Sequence, residues 1–127
     1  MRQYKFSSLD EFAGMRCVMK NDLNKLYPQA VELLFVALNE AVNNAIFHGN
    51  ENGISPNIEV SFFKDGSDVC MAVRHDGLAF KGIEVSEVPQ AEDFDEHGRG
   101  IEIIKYCIDS FKYTDSGRKI IMRKKIV

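Results

Sequence analysis

The spacing of apolar residues changes along the chain, and the changes mark out its elements. Residues 3–6 read as a short strand, ended by Ser7, Ser8 and Asp10, whose side chains cap helices by accepting from free backbone N–H groups. Leu9, Phe12, Ala13, Met15, Arg16 and Met19 then repeat at helical spacing and predict an amphipathic helix to about Asn21. Residues 21–27 are polar with one or two apolar anchors and read as a connection. Pro28 suits the first turn of the next helix, where its missing N–H costs nothing. Nothing interrupts residues 28–48, a rod of roughly 30 Å at ~1.5 Å per residue, and Gly49 is placed as a left-handed cap.

A loop at residues 50–57 follows, with Gly53, Pro56 and several asparagines. Ile58, Val60 and Phe62 alternate with Glu59, Ser61 and Phe63, Asp65-Gly66 is a hairpin turn, and Val69, Met71 and Val73 alternate on the return strand. The alternation stops at Arg74-His75-Asp76-Gly77. Residues 78–99 show little periodicity and carry Glu92, Asp93, Asp95 and Glu96; loops of this length in a small domain are commonly lids or binding loops. Ile101, Ile104 and Ile108 open a helix straight after Gly98 and Gly100. Residues 110–114 and 119–127 form strands around the turn Asp115-Ser116-Gly117. This order predicts one domain over residues 1–127, an α+β two-layer sandwich with a mixed or antiparallel sheet covered on one face by helices.

The most apolar helix also carries the polar residues hardest to place. In ALNEAVNNAIFHGN (residues 37–50), Glu40, Asn44 and His48 fall at i, i+4 and i+8, so a helix lines them along one stripe. Asn43 and Phe47 flank it, while Leu34, Leu38, Ala41, Val42, Ala45 and Ile46 cover the side expected to be buried. A carboxylate, amides and an imidazole on a core helix are costly unless something polar meets them. Two readings stand: a solvated helix face, or a face that meets a nucleotide with a metal ion.

Composition narrows the class. A chain of 127 residues, 45% hydrophobic and 28% charged, is globular and long enough for a sizeable core. A net charge of -3 and a pI near 5.6 give no support to a nucleic-acid partner. Cations gather only at Arg118, Lys119, Arg123, Lys124 and Lys125, where a strand would turn them to solvent or guard an edge. Cys17, Cys70 and Cys107 are far apart with no CxxC, so reduced core thiols are expected rather than a disulfide or zinc site. No stretch reads as a signal or approaches membrane-spanning length, so a soluble cytoplasmic protein with no membrane partner is expected.

Three segments, NEAVNNAIFHG, VRHDGLAF and HGRGIEII, follow in an order and at spacings that resemble the N, G1 and G2 boxes of the GHKL (histidine-kinase-like) ATPase superfamily. The likeness is greatest to its serine-kinase, anti-sigma-factor branch. It implies a Bergerat-type ATP-binding fold with ATP and Mg2+ as cofactors. By position it makes Asn44 the Mg2+ ligand, an amide oxygen being a hard donor that Mg2+ accepts beside waters and phosphate oxygens. It makes Glu40 the catalytic residue, as general base or as the group that orients the attacking hydroxyl. Asn43 stands where family members vary and is expected to reach ribose or phosphate only indirectly. His48 and Gly49 match a frequent His-Gly helix end, where the histidine favours the negative terminus. Gly98, Arg99, Gly100 and Ile101 match the G2 box, whose glycines let backbone N–H groups and a helix start approach phosphates. Arg99 would add positive charge there.

The middle box departs from the family pattern Asp-x-Gly-x-Gly. Aligning Gly77 with its first glycine puts His75 at the aspartate that accepts from the adenine amino group, Asp76 at the variable position and Ala79 at the second glycine. Lys119, preceded by Arg118, is the nearest match to a threonine of the last hairpin that assists adenine recognition. A neutral imidazole accepts one hydrogen bond, at about half a carboxylate's strength. Asp76 is the other acceptor if the turn shifts by one residue.

The resemblance therefore implies an ATP- and Mg2+-dependent regulator, a serine/threonine kinase that phosphorylates or sequesters a protein partner, either a sigma factor or an anti-anti-sigma-like antagonist. Branch members dimerise, so a homodimer is one expected form. No phospho-accepting histidine helix is read within these 127 residues, so a complete sensor histidine kinase is not expected. Two alternatives stay open: a non-catalytic partner-binding module, and a stand-alone ATPase subunit of a two-component-like system.

Overall fold

The structure is a computed structural model that describes residues 1–79 and 98–125, with Gly98 and Arg99 described as backbone only. Its elements are β1 (Arg2–Phe6), α1 (Leu9–Leu26), a 3-10 turn (Pro28–Ala30), α2 (Val31–Gly49), β2 (Ile58–Asp65), β3 (Asp68–His75), α3 (Gly98–Cys107), β4 (Ser110–Thr114) and β5 (Lys119–Lys125). The strands form one sheet in the order β1-β2-β3-β5-β4. Every pairing among the described strands is antiparallel, which decides between the mixed and antiparallel alternatives. The α+β arrangement is as expected. Tyr4, Phe6, Val60, Phe62, Met71, Val73, Ile120 and Met122 point from the sheet into the core that the helices cover, sharing it with Leu23, Leu34, Leu38, Ile101 and Ile104.

Several details differ from the sequence reading, each for a physical reason. α1 runs five residues past Asn21, to Leu26, through the stretch expected to be a connection. Met19 and Leu23 continue its apolar stripe into the core, and the buried carboxylate of Asp22 accepts from the Tyr4 hydroxyl of β1. Tyr4→Phe removes that donor and strands a buried carboxylate, so a loss of about 1–3 kcal/mol is expected. Urea denaturation of the two proteins checks this, and equal midpoints would contradict it. α2 itself begins only at Val31, after the 3-10 turn that Pro28 opens.

Gly49 is not a left-handed cap; the helix ends on an extended Asn50, and Gly49 is absent from the positive-φ glycines among the described residues. Its small size serves packing instead. A Cβ there would lie 2.7 Å from His75 Nδ1 and 2.8 Å from the Pro56 ring. Cys17 is exposed rather than in the core, while Cys70 and Cys107 are buried. β5 is not an edge strand: it lies between β3 and β4, and its Arg123 pairs with Asp65 at 2.9 Å.

One segment does reach membrane-spanning length, contrary to expectation: Pro28–Gly49 is 22 residues long, and its most apolar window has a mean hydropathy of 1.3. Half of its most apolar window is buried inside the domain. The central helix of a globular core meets the same criterion, and this fold uses it as one.

Candidate functional site

The stripe on α2 splits into a buried and a half-buried part. Asn44 is 6% exposed, and no other described residue hydrogen-bonds to its amide. Glu40, one turn earlier, is half-buried. Gly100, in the first turn of α3, rests on both. A Cβ there would come within 3.1 Å of Asn44 Nδ2 and Glu40 Oε2 and 3.2 Å of Asn44 Oδ1. The glycine lets the main chain of α3 meet the two side chains at that distance. The turn from Gly98 to Ile101 begins a ten-residue helix, whose first N–H groups have no partner within the helix and carry its partial positive charge. Ile101 has its side chain in the core, so only its main chain is on offer to a ligand.

An amide, a carboxylate and a helix start thus converge at one point. That set fits Mg2+ held together with phosphate oxygens, since Mg2+ keeps waters and takes few protein ligands. Among the described residues no group of three or more His, Cys, Asp or Glu side chains forms a metal cage.

The turn after β3 is stitched on every side. His75 is buried; its N–H donates to the Arg118 carbonyl at 2.9 Å, and its Nδ1 accepts from the Gly77 N–H at 3.1 Å. Arg118 Nε donates to the Gly77 carbonyl at 3.0 Å, and the Leu78 N–H to the Gly49 carbonyl at 3.2 Å. Gly77 lies against α2 so closely that a Cβ on it would sit 2.0 Å from the Gly49 oxygen. Burial, and then the Arg118 guanidinium, hold His75 below the ordinary histidine pKa, which favours the neutral ring. With Nδ1 accepting, the proton is assigned to Nε2. The one acceptor nitrogen is already used, so the imidazole does not offer a base the acceptor expected of it.

The linkage follows from that depressed pKa. Above about pH 6.5 the ring is neutral folded and unfolded; below it the unfolded chain takes up the proton first, and stability falls. Melting temperatures from pH 8 to 5 are therefore expected to fall more steeply for wild type than for His75→Gln, and parallel curves would contradict this.

The other expected residues divide. Asp76 does not turn inward: its carboxylate accepts from the Asn57 N–H and Nδ2, each at 2.8 Å, and those bonds hold its pKa below the usual range. Asn43 is exposed, along a groove between α1 and α2 that also involves Phe12 and Arg16. A small cavity between α2 and the sheet is lined by Asn44, Ala45, His48, His75, Arg118 and Ile120. Lys119 lies off it. Arg118, the residue just before β5, has helical backbone angles (φ -77, ψ -13), so strand alternation did not signal its place in the lining. The cavity measures about 10 Å³, room for about one water.

A five-stranded antiparallel sheet, helices packed on one face, and a Glu–Asn stripe abutting a glycine-rich helix start define a histidine-kinase-like ATPase fold. The family model for the histidine kinase-like ATPase domain matches residues 12–124, and the chain belongs to that family. An anti-sigma F factor of Clostridium perfringens is 32% identical over 98 residues, 71% of this chain and 69% of its own. One from Clostridium acetobutylicum is 30% identical over 98 residues, covering 71% and 66%. One from Clostridium novyi is 28% identical over 115 residues, covering 82% and 78%.

Proposed function

We propose that this domain binds a nucleoside triphosphate with Mg2+ where α2 meets α3, and acts as an anti-sigma-type regulator that phosphorylates or sequesters a protein partner. The observation carrying this is the convergence of Glu40, Asn44 and the α3 start on Gly100. Asn44 would hold Mg2+ through its amide oxygen, and the main-chain N–H groups of Gly98, Arg99, Gly100 and Ile101 would receive phosphate oxygens. Glu40 would take the proton from a serine or threonine hydroxyl of the partner. A bound triphosphate supplies the phosphoryl group to be transferred. Phosphoryl transfer asks mainly for positioning and electrostatics, which so small a set of residues can provide. The relatives are named anti-sigma F factors, which supports a sigma factor as the partner; an antagonist of that factor as the phosphorylated protein, and a cytoplasmic location, belong to the same proposal.

A second reading, a partner-binding module without catalysis, is favoured by one observation. The His75 turn uses its own acceptor, and the cavity beside it has room for about one water. Incubation with γ-labelled ATP or GTP, Mg2+ and the sigma factors and sigma antagonists of the same genome separates the two. Label on a partner serine or threonine supports the kinase. A stable complex without label supports the binding module, and neither label nor complex overturns both.

A further inference from the structure

The loop between α2 and β2 closes in a tight turn around the one asparagine of this chain that is followed by glycine, Asn52-Gly53. Glu51 and Ile54 exchange two main-chain hydrogen bonds: the Glu51 N–H donates to the Ile54 carbonyl at 3.1 Å, and the Ile54 N–H to the Glu51 carbonyl at 2.9 Å. Between them Asn52 and Gly53 have φ of 54° and 82°, as a two-residue type I′ turn requires. The Gly53 N–H donates to the side-chain oxygen of Asn50 at 3.0 Å. Residues 51–54 are all exposed, and nothing lies within 4 Å of the place a Cβ on Gly53 would take. Water therefore reaches the peptide bond between Asn52 and Gly53.

An asparagine before glycine is set up for attack on its own side chain, because the missing Cβ lets the next main-chain nitrogen approach Cγ. The Gly53 nitrogen gives its proton to hydroxide and bonds to Asn52 Cγ, the Cγ–Nδ2 bond breaks, and the side-chain nitrogen leaves as ammonia. Water then opens the succinimide. Breaking the new bond leaves aspartate; breaking the original peptide bond leaves isoaspartate, with the main chain longer by one carbon. The nucleophile is the nitrogen whose proton the Asn50 oxygen holds. We propose that Asn52 is a spontaneous deamidation site of the folded protein, with its rate governed by the Asn50 latch on the Gly53 N–H. The closed turn withholds the nucleophile, and reaction goes through local opening, in which the Asn50 bond and the Glu51–Ile54 bridge break. Isoaspartate cannot restore that bridge in its register. The loop it loosens carries Pro56, which lies against Gly49, and Asn57, which holds Asp76.

The test is peptide mapping by mass spectrometry of the full chain held at mildly alkaline pH, with loss of the Asn52 amide followed over time. Folded wild type is expected to convert at least about tenfold more slowly than the same chain unfolded in urea, since three hydrogen bonds must open first. Asn50→Ala removes one of the three and is expected to convert about fivefold faster than wild type. Asn50→Asp keeps an acceptor for the Gly53 N–H and is expected to convert no faster than wild type. Should Asn50→Ala fail to fold, the comparison of folded with unfolded wild type decides. Equal rates in folded and unfolded wild type overturn the proposal, as do equal rates in wild type and folded Asn50→Ala. So does an Asn50→Asp protein that converts as fast as Asn50→Ala, or an Asn52 that stays intact in every folded form while the unfolded chain converts.

Discussion

Gly77→Ala is expected to destabilise the protein by about 3 kcal/mol or more, or to prevent folding. The added methyl group would stand 2.0 Å from the Gly49 carbonyl oxygen, with the Gly49 carbonyl carbon and Cα at 2.7 and 2.8 Å. These are main-chain atoms, held by the helix on one side and by the Leu78 N–H on the other, so no rotamer change relieves the contact. Gly14→Ala is the control. Gly14 is in α1 with nothing within 4 Å of an added Cβ, and the change is expected to stabilise by about 0.5–1 kcal/mol. Denaturant midpoints check both. A Gly77→Ala protein as stable as wild type would contradict the contact between α2 and the turn after β3.

Glu40→Gln is expected to lower phosphoryl transfer to the partner by about 10²–10⁴-fold, leaving nucleotide affinity nearly unchanged. The substitution keeps the volume that Gly100 rests on, so α3 keeps its place, while the amide cannot take up a proton. Transfer rates with the labelled nucleotide, set against dissociation constants for the same variant, separate the two effects. An equal loss of binding and rate would make Glu40 a structural support of the pocket, and unchanged rates would remove it from the chemistry.

Element order and core were legible because they are local. A change from period 2 to period 3.6 is written in neighbouring residues, and Ile58, Val60, Phe62 and Leu34, Leu38, Val42 lie inward as their spacing says. The misreadings fall where the deciding partner is distant. Asn21, Asp22, Asn24 and Lys25 look like a linker until Tyr4, eighteen residues from Asp22, supplies the buried hydroxyl. A glycine at a helix end serves either a left-handed cap or a close approach. Only His75, Pro56 and Gly77 reveal which use Gly49 has.

The same holds within the site. Glu40 and Asn44 share a stripe that helical spacing exposes, and their meeting with Gly100 matches the order of the motifs. The state of His75 could not be read locally, since it depends on which nitrogen the Gly77 N–H reaches. Nor could the orientation of Asp76, which Asn57 decides from across the sheet end. Residues 80–97, where the sequence reading placed most of a lid or binding loop, lie outside the described residues.

The central claim is that a Mg2+–nucleotide sits where α2 meets α3. The most direct measurement is an NMR titration of the isotope-labelled protein with GTP and with ATP, each with and without Mg2+. The account predicts Mg2+-dependent shifts at the Asn44 side-chain amide and at the Gly100 and Ile101 N–H groups, lost in Asn44→Ala. Shifts absent at millimolar nucleotide, or confined to residues remote from Asn44 and Gly100, would contradict it.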